Sequence, residues 1–106
     1  QTLIKLNDAA GAEKALRAVV DAAPGSVEGW FHLGVAIYLR GDRREAATCF
    51  RKAVALKPDH ADAQFNLGQC LKEEGDRTGA AEAFRAALRS RPDYDRAKKE
   101  LEALEK

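Results

Sequence analysis

Few residues in this chain could do covalent or acid–base chemistry, and their spacing works against it. The histidines are His32 and His60, and the serines are Ser26 and Ser90. A serine nucleophile needs a histidine base beside it and a third group to orient that base. Ser26 and Ser90 instead read as residues of turns or helix ends. No G-x-S-x-G, H-E-x-x-H, phosphate-loop or G-x-G-x-x-G pattern occurs. Cys49 and Cys70 show neither C-x-x-C nor a histidine spacing suited to zinc, and they make no disulfide framework. They sit at small-residue positions, read as packed thiols, and favour a reducing, cytoplasmic setting. Glu73 and Glu74 are adjacent, so on a helix they point in different directions and do not form a working carboxylate pair. His32 and His60 read as ordinary helix and turn residues. No catalytic residue, metal or cofactor is therefore expected. The chemistry left is non-covalent recognition.

Composition narrows what could be recognised. The 106 residues carry 18 Lys+Arg against 17 Asp+Glu, a net charge of +1. That balance exerts no whole-chain pull toward nucleic acid or an anionic membrane. A basic series, Arg40, Arg43, Arg44, Arg51, Arg85 and Arg89, reads as a solvated outer face, because nucleic-acid binding would need a continuous stripe with stacking aromatics. Apolar residues make up 45%, too many for a disordered tail, yet no run approaches a membrane span. Nucleic-acid binding and membrane insertion are both excluded as expectations. Alanine supplies 21 residues while Val, Ile and Thr together supply 10, which points to helices. There is no Met, so residue 1 is expected to lie within a longer protein.

The elements follow from a repeat. Pro24, Pro58 and Pro92 are each 34 residues apart. Laying 27–60 over 61–94 gives 13 identities in 34 positions without a gap, among them Phe31/Phe65, Leu33/Leu67, Gly34/Gly68, Ala46/Ala80, Phe50/Phe84 and Ala53/Ala87. Each unit reads as two helices. Trp30, Leu33, Gly34 and Ile37 fall at i, i+3, i+4, i+7 on a first helix over 27–40. Gly41 ends it and Asp42 caps the next. The second helix, 43–56, turns Ala46, Ala47, Phe50, Ala53 and Val54 to one face, and Lys57 before Pro58 stops it. The pattern recurs at 61–74 and 77–90, with Asp93 or Asp95 as the expected cap of a last helix over 94–105. Residues 1–26 read as a truncated unit, with Leu3 in the place of Ile37 and Asn7 in the left-handed turn place of Gly41. Residues 95–106 read as a capping helix, with Ala97, Leu101 and Leu104 inward and Asp95–Lys99 and Glu102–Lys106 as i, i+4 pairs.

A 34-residue helix-turn-helix period with Trp30-x2-Leu33-Gly34-x2-Ile37, then Ala46-x3-Phe50 and Pro58, resembles the tetratricopeptide repeat family over essentially the whole chain. Ile37 and Leu71 stand for the usual Tyr, and Gln64 for Trp, read here as packing substitutions. Gly34 and Gly68 are expected to admit a closely crossing partner helix, with Phe50 and Phe84 filling the gap to the following unit. The resemblance implies an all-α, right-handed solenoid whose first helices line a concave surface that holds extended peptides. Carried onto this sequence, the partner-binding residues are Glu28, Phe31, Val35, Tyr38 and Leu39 on the first such helix. On the second they are Asp62, Phe65, Asn66, Gln69 and Lys72, and on the last Arg96 and Lys99.

The first of these sets is notably apolar, which suits an apolar partner side chain. The competing reading packs Phe31 and Tyr38 on the first helix of a preceding unit. Chaperone-binding members of the family grip a terminal carboxylate with Lys and Asn, but Phe31 and Val35 occupy the first of those places. Sugar-transferase-linked members carry an Asn before each Leu-Gly. Here Asn66 fits, while His32 and Glu100 hold the other rungs. The functional expectation is a non-catalytic protein-interaction module for an extended peptide or partner helix. The alternatives are a substrate-recruiting arm of a larger enzyme such as a glycosyltransferase, and a homotypic module that self-associates through its N-terminal repeat.

Overall fold

The computed structural model describes residues 6–105, and side chains over residues 11–105. Among the described residues there are six helices and no strand: α1 (Leu6–Ala22), α2 (Val27–Arg40), α3 (Arg43–Leu56), α4 (Ala61–Glu73), α5 (Arg77–Ser90) and α6 (Asp95–Leu104). Each helix packs chiefly on the next in sequence, so the chain is an α-solenoid.

The breaks between helices come from the repeated turn residues. Gly41 (φ +106°) and Gly75 (φ +88°) are left-handed, a conformation that costs glycine least. Beside them, the Asp42 N–H donates to the Ile37 carbonyl at 3.2 Å and the Asp76 N–H to the Leu71 carbonyl at 2.9 Å. Asp42 and Asp76 then cap α3 and α5, accepting from the N–H of Glu45 at 3.1 Å and of Gly79 at 2.9 Å. Lys57 and Arg91, each before a proline, leave the helical region and end α3 and α5.

The core explains the mid-helix glycines. A Cβ on Gly34 would lie 2.7 Å from the Phe50 ring, and one on Gly68 would lie 2.7 Å from the Phe84 ring. Each phenylalanine therefore seats its ring on the glycine of its own unit. Phe50 also clusters with Cys70 and Phe84 with Ala97, so, as expected, each ring reaches the following unit from this seat. The seat replaces close backbone crossing as the reason for the glycines: a ring, not a helix axis, occupies the notch. Ala46, Ala53, Ala80 and Ala87 are fully buried around these rings.

Other expectations shift for physical reasons. α1 begins at Leu6 and runs through Asn7, so Asn7 forms no left-handed turn. Asn costs less in a helix than Gly, and the alanine-rich stretch after it carries the helix back through it. Leu3 lies outside the described residues. Neither Asp93 nor Asp95 caps α6: Tyr94 holds the N-cap position and its side chain makes no cap hydrogen bond. Ser26, His60 and Tyr94 are 34 residues apart at equivalent N-caps. Ser26 Oγ accepts from Gly29 N–H at 3.0 Å and His60 Nδ1 from Ala63 N–H at 3.1 Å. A tyrosine hydroxyl lies too far from its own backbone to do the same. In α6, Ala97 is buried and Leu101 and Leu104 pack on the second unit, as expected. Lys99 makes no ion pair with Asp95, and Lys106 lies outside the described residues.

Candidate functional site: a groove across the first helices

α2, α4 and α6 are the first helices of successive units, and a cavity of about 170 Å³ opens among them. Val35, Tyr38, Phe50 and Phe65 form its apolar part. Asn66, Gln69 and Arg96 supply polar groups at the same place. Six of these seven were expected from the sequence. Phe50 was read only as core, and it forms part of the floor because its ring lies on Gly34 and faces Phe31, with centroids 5.9 Å apart. No sequence signal separates that role from simple packing.

The remaining expected residues surround the cavity unevenly. Phe31 is half-buried and stacks on His60 at 4.9 Å. Its counterpart Phe65 is 2% exposed, stacked on Tyr94 at 5.1 Å and covered by the Arg96 guanidinium 4.9 Å from its centroid. Phe65 therefore reaches the groove only as floor. Tyr38 is half-buried; its hydroxyl donates to Glu73 at 2.5 Å, and Arg43 lies over its ring at 4.1 Å. Phe31 and Tyr38 thus reach the two ends of α4, at its N-cap His60 and at Glu73, while residues 1–5, where the competing reading puts the preceding first helix, lie outside the described residues. Lys72 pairs with Glu100 at 2.6 Å, and Gln69 donates to the same carboxylate at 3.4 Å. Asp62 accepts from the Tyr94 hydroxyl at 2.8 Å and pairs with Arg91 at 3.4 Å. Glu28 and Lys99 are exposed at opposite ends, and Leu39 is 44% exposed.

Electrostatics at the groove follow from these contacts. Burial, reinforced by Glu73, pushes the Tyr38 hydroxyl up to about 12. Burial, reinforced by Asp62, does the same at Tyr94. At Glu73 burial works upward, but the hydrogen bonds from Arg43 and Tyr38 win and hold the carboxyl below its ordinary value. Burial raises the Cys49 and Cys70 thiols to about 11 and about 12, which leaves them protonated at neutral pH and inert. Both are free and buried.

The basic series is largely neutralised: Arg40 pairs with Glu13 at 2.6 Å, Arg43 with Glu73, Arg44 with Glu74 at 3.8 Å and Arg85 with Glu105 at 2.7 Å. Among the described residues, no group of three His, Cys, Asp or Glu is placed to hold a metal ion. No described helix is long and apolar enough to cross a membrane.

Gln64 is more than a packing substitution. Its Nε2 donates to the Pro58 carbonyl at 2.5 Å and its Oε1 accepts from Ser90 at 2.9 Å. Trp30, one unit earlier, donates from Nε1 to the Pro24 carbonyl at 2.7 Å. The two side chains share a donor aimed at the same turn. That shared N–H is the signal the sequence offered.

Stacked helix pairs, with an apolar pocket and convergent polar groups across their first helices, define a helical-repeat protein of the protein-interaction class. The sequence model of the tetratricopeptide repeat matches residues 1–42 and 40–95, and the chain belongs to that family. An O-GlcNAc transferase mutant of Thermobaculum terrenum is similar at 34% identity and TM-score 0.82, over 93% of this chain and 19% of that one. MamA is similar at 25% identity and TM-score 0.89, over 92% of this chain and 57% of that one. YrrB, described as a TPR protein with an unusual peptide-binding site, is similar at 28% identity and TM-score 0.83, over 92% of this chain and 50% of that one. The chain thus spans less than two thirds of each. No curated protein sequence matches it.

Proposed function

We propose that this array binds an extended peptide segment along α2, α4 and α6 and seats one apolar side chain of that segment in the cavity. One observation carries the reading: the apolar floor of Val35, Phe50 and Phe65 opens beside Asn66 and Gln69. Burial of an aliphatic side chain supplies affinity, and the amides can satisfy a peptide backbone that would otherwise lose its water. Within this reading, 27–60 and 61–94 are the complete units, 1–26 is a truncated unit and 95–106 is the closing helix. The 34-residue spacing of equivalent contacts, such as Phe31 on His60 and Phe65 on Tyr94, supports that division.

Peptides selected by display on the intact chain test it. The selected peptides should share an apolar residue. Val35→Phe, which fills the cavity, should weaken them by ~10-fold, and Asn66→Ala by about 3-fold, with helicity unchanged. If both variants bind as the parent does, the groove is not the site.

A second reading is favoured by the similarity to the transferase, of which this chain covers only a short part. There the same groove would recruit substrates for a catalytic domain elsewhere in the parent protein. The flanking sequence decides: a catalytic domain beside the array supports recruitment, and its absence removes it.

A further inference from the structure

The groove carries a charge order that the cavity alone does not explain. Glu28, Asp62 and Arg96 are 34 residues apart, so they occupy one row across α2, α4 and α6. The row is acidic, acidic, then basic. Asp62 is already engaged by Arg91 and Tyr94. Arg96 lines the cavity with its guanidinium stacked over Phe65, and it is exposed. Lys99, one helical turn on, is exposed as well. Neither cation has an ion-pair partner among the described residues, whereas Lys72 across the groove is held by Glu100. The carboxylates nearest the cavity are spoken for in the same way, Glu73 by Arg43 and Glu100 by Lys72.

Resting on the peptide-groove reading, we propose that the site selects segments in which an acidic side chain lies beside the apolar anchor, held over α6 by Arg96 and Lys99. A guanidinium stacked on a ring keeps its N–H edge free and fixed in direction, which suits bidentate pairing with a carboxylate. On the α2 side the cavity is lined by Val35 and Tyr38, and the cation there, Arg43 over the Tyr38 ring, is already held by Glu73 and so is not free to hold a chain end. The carboxylate is therefore that of an internal Asp or Glu. Glu28, at the far end of the row, repels acid there and sets the direction in which the segment lies.

Capped peptides test this by fluorescence anisotropy. A Gly/Ser/Ala host carries one Leu, and Asp, Asn or Lys is placed at each offset from it. At one offset Asp should bind about three- to five-fold more tightly than Asn, and Lys more weakly, the range of a well-placed exposed ion pair. The gain, read as the Asp-to-Asn affinity ratio within one protein, should shrink with added salt and fall to about one in Arg96→Gln/Lys99→Gln, whatever that variant does to the affinity of the Leu-bearing host itself. An Asp gain that survives the double variant overturns the inference, as does no gain at any offset. A gain seen only with an uncapped C-terminal carboxylate also overturns it. If no Leu-bearing peptide binds at all, the groove reading fails, an outcome distinct from Leu binding without charge preference.

Discussion

Residues 27–60 and 61–94 solve one packing problem twice and then part company. The ring-on-glycine contacts of Phe50 with Gly34 and Phe84 with Gly68 have the same 2.7 Å limit on an added Cβ. The alanines around them and the Gly-Asp turns between helices are the same residues in both units. The groove positions differ at nearly every place: Val35 against Gln69, Tyr38 against Lys72, Leu39 against Glu73. The shared Gly–Phe seats and Gly-Asp turns mark what the packing needs, and at the groove the two units diverge. The first unit presents an apolar wall and the second a polar one, so the cavity between them has two chemically distinct sides.

The largest expected effect tests the shared half of that comparison. Phe50 and Phe84 are both essentially unexposed. Phe50→Ala and Phe84→Ala should each cost ~3–5 kcal/mol in urea unfolding, because each removes a ring and leaves a cavity over its glycine. The two costs should agree within about 1 kcal/mol, given the non-additivity of neighbouring contacts. A much smaller loss for Phe50 would mean that the pocket beside it relaxes and that the units are not equivalent. Gly11, with nothing within 4 Å of an added Cβ, gives the counter-case. Gly11→Ala should stabilise by ~0.5–1 kcal/mol, while Gly34→Ala should destabilise.

The fold was legible because its requirements recur. The prolines announce themselves three times and the Gly-Asp turns and Gly–Phe pairs twice, and four of the six helices match the expected bounds: 27–40, 43–56, 77–90 and, one residue short, α4. The places where reading failed are those where one copy lacks its partner signal. Asn7 has no glycine to force the turn, and Tyr94 holds a capping position without a capping atom. At the groove, the resemblance to the repeat family implied that Val35, Asn66, Gln69 and Arg96 share one surface. It could not say that Phe65 would be covered while Phe31 stays half open. That difference comes from what stands across the loop, Tyr94 and Arg96 over Phe65 but His60 over Phe31, and such pairings are set in three dimensions.

A middle-sized effect probes where the units keep a function while changing the residue. Gln64→Leu keeps the volume but removes the donor to Pro58 and the acceptor for Ser90. It should cost ~1–3 kcal/mol, since Gln64 is buried and both former partners lose a bond. Trp30→Phe removes only the donor to Pro24, at a half-exposed site where water can replace it, and should cost less. If Gln64→Leu proves neutral, Gln64 is a packing residue after all, and the shared hydrogen bond to the turn is incidental.

The smallest effect separates the two tyrosines, Tyr38 on the groove and Tyr94 at the α6 start. Both hydroxyls are pushed to about 12 from an ordinary 10.0, chiefly by burial and then by a carboxylate, Glu73 for Tyr38 and Asp62 for Tyr94. A raised folded-state value means the native protein holds the proton more tightly than the unfolded chain does. The associated stability is complete below pH 10 and drains away as pH rises toward 12. Glu73 runs the other way: its lowered value gives stability present above pH 4.5 and lost as the pH falls below it. Ultraviolet titration of the folded chain should therefore show no tyrosine ionising near pH 10. Glu73→Gln should move only Tyr38 downward, and only part of the way, because burial remains the larger cause. Asp62→Asn should move only Tyr94. A tyrosine that titrates at 10 in the parent chain would show that its hydroxyl is solvated, and for Tyr38 that would open the wall of the cavity to water.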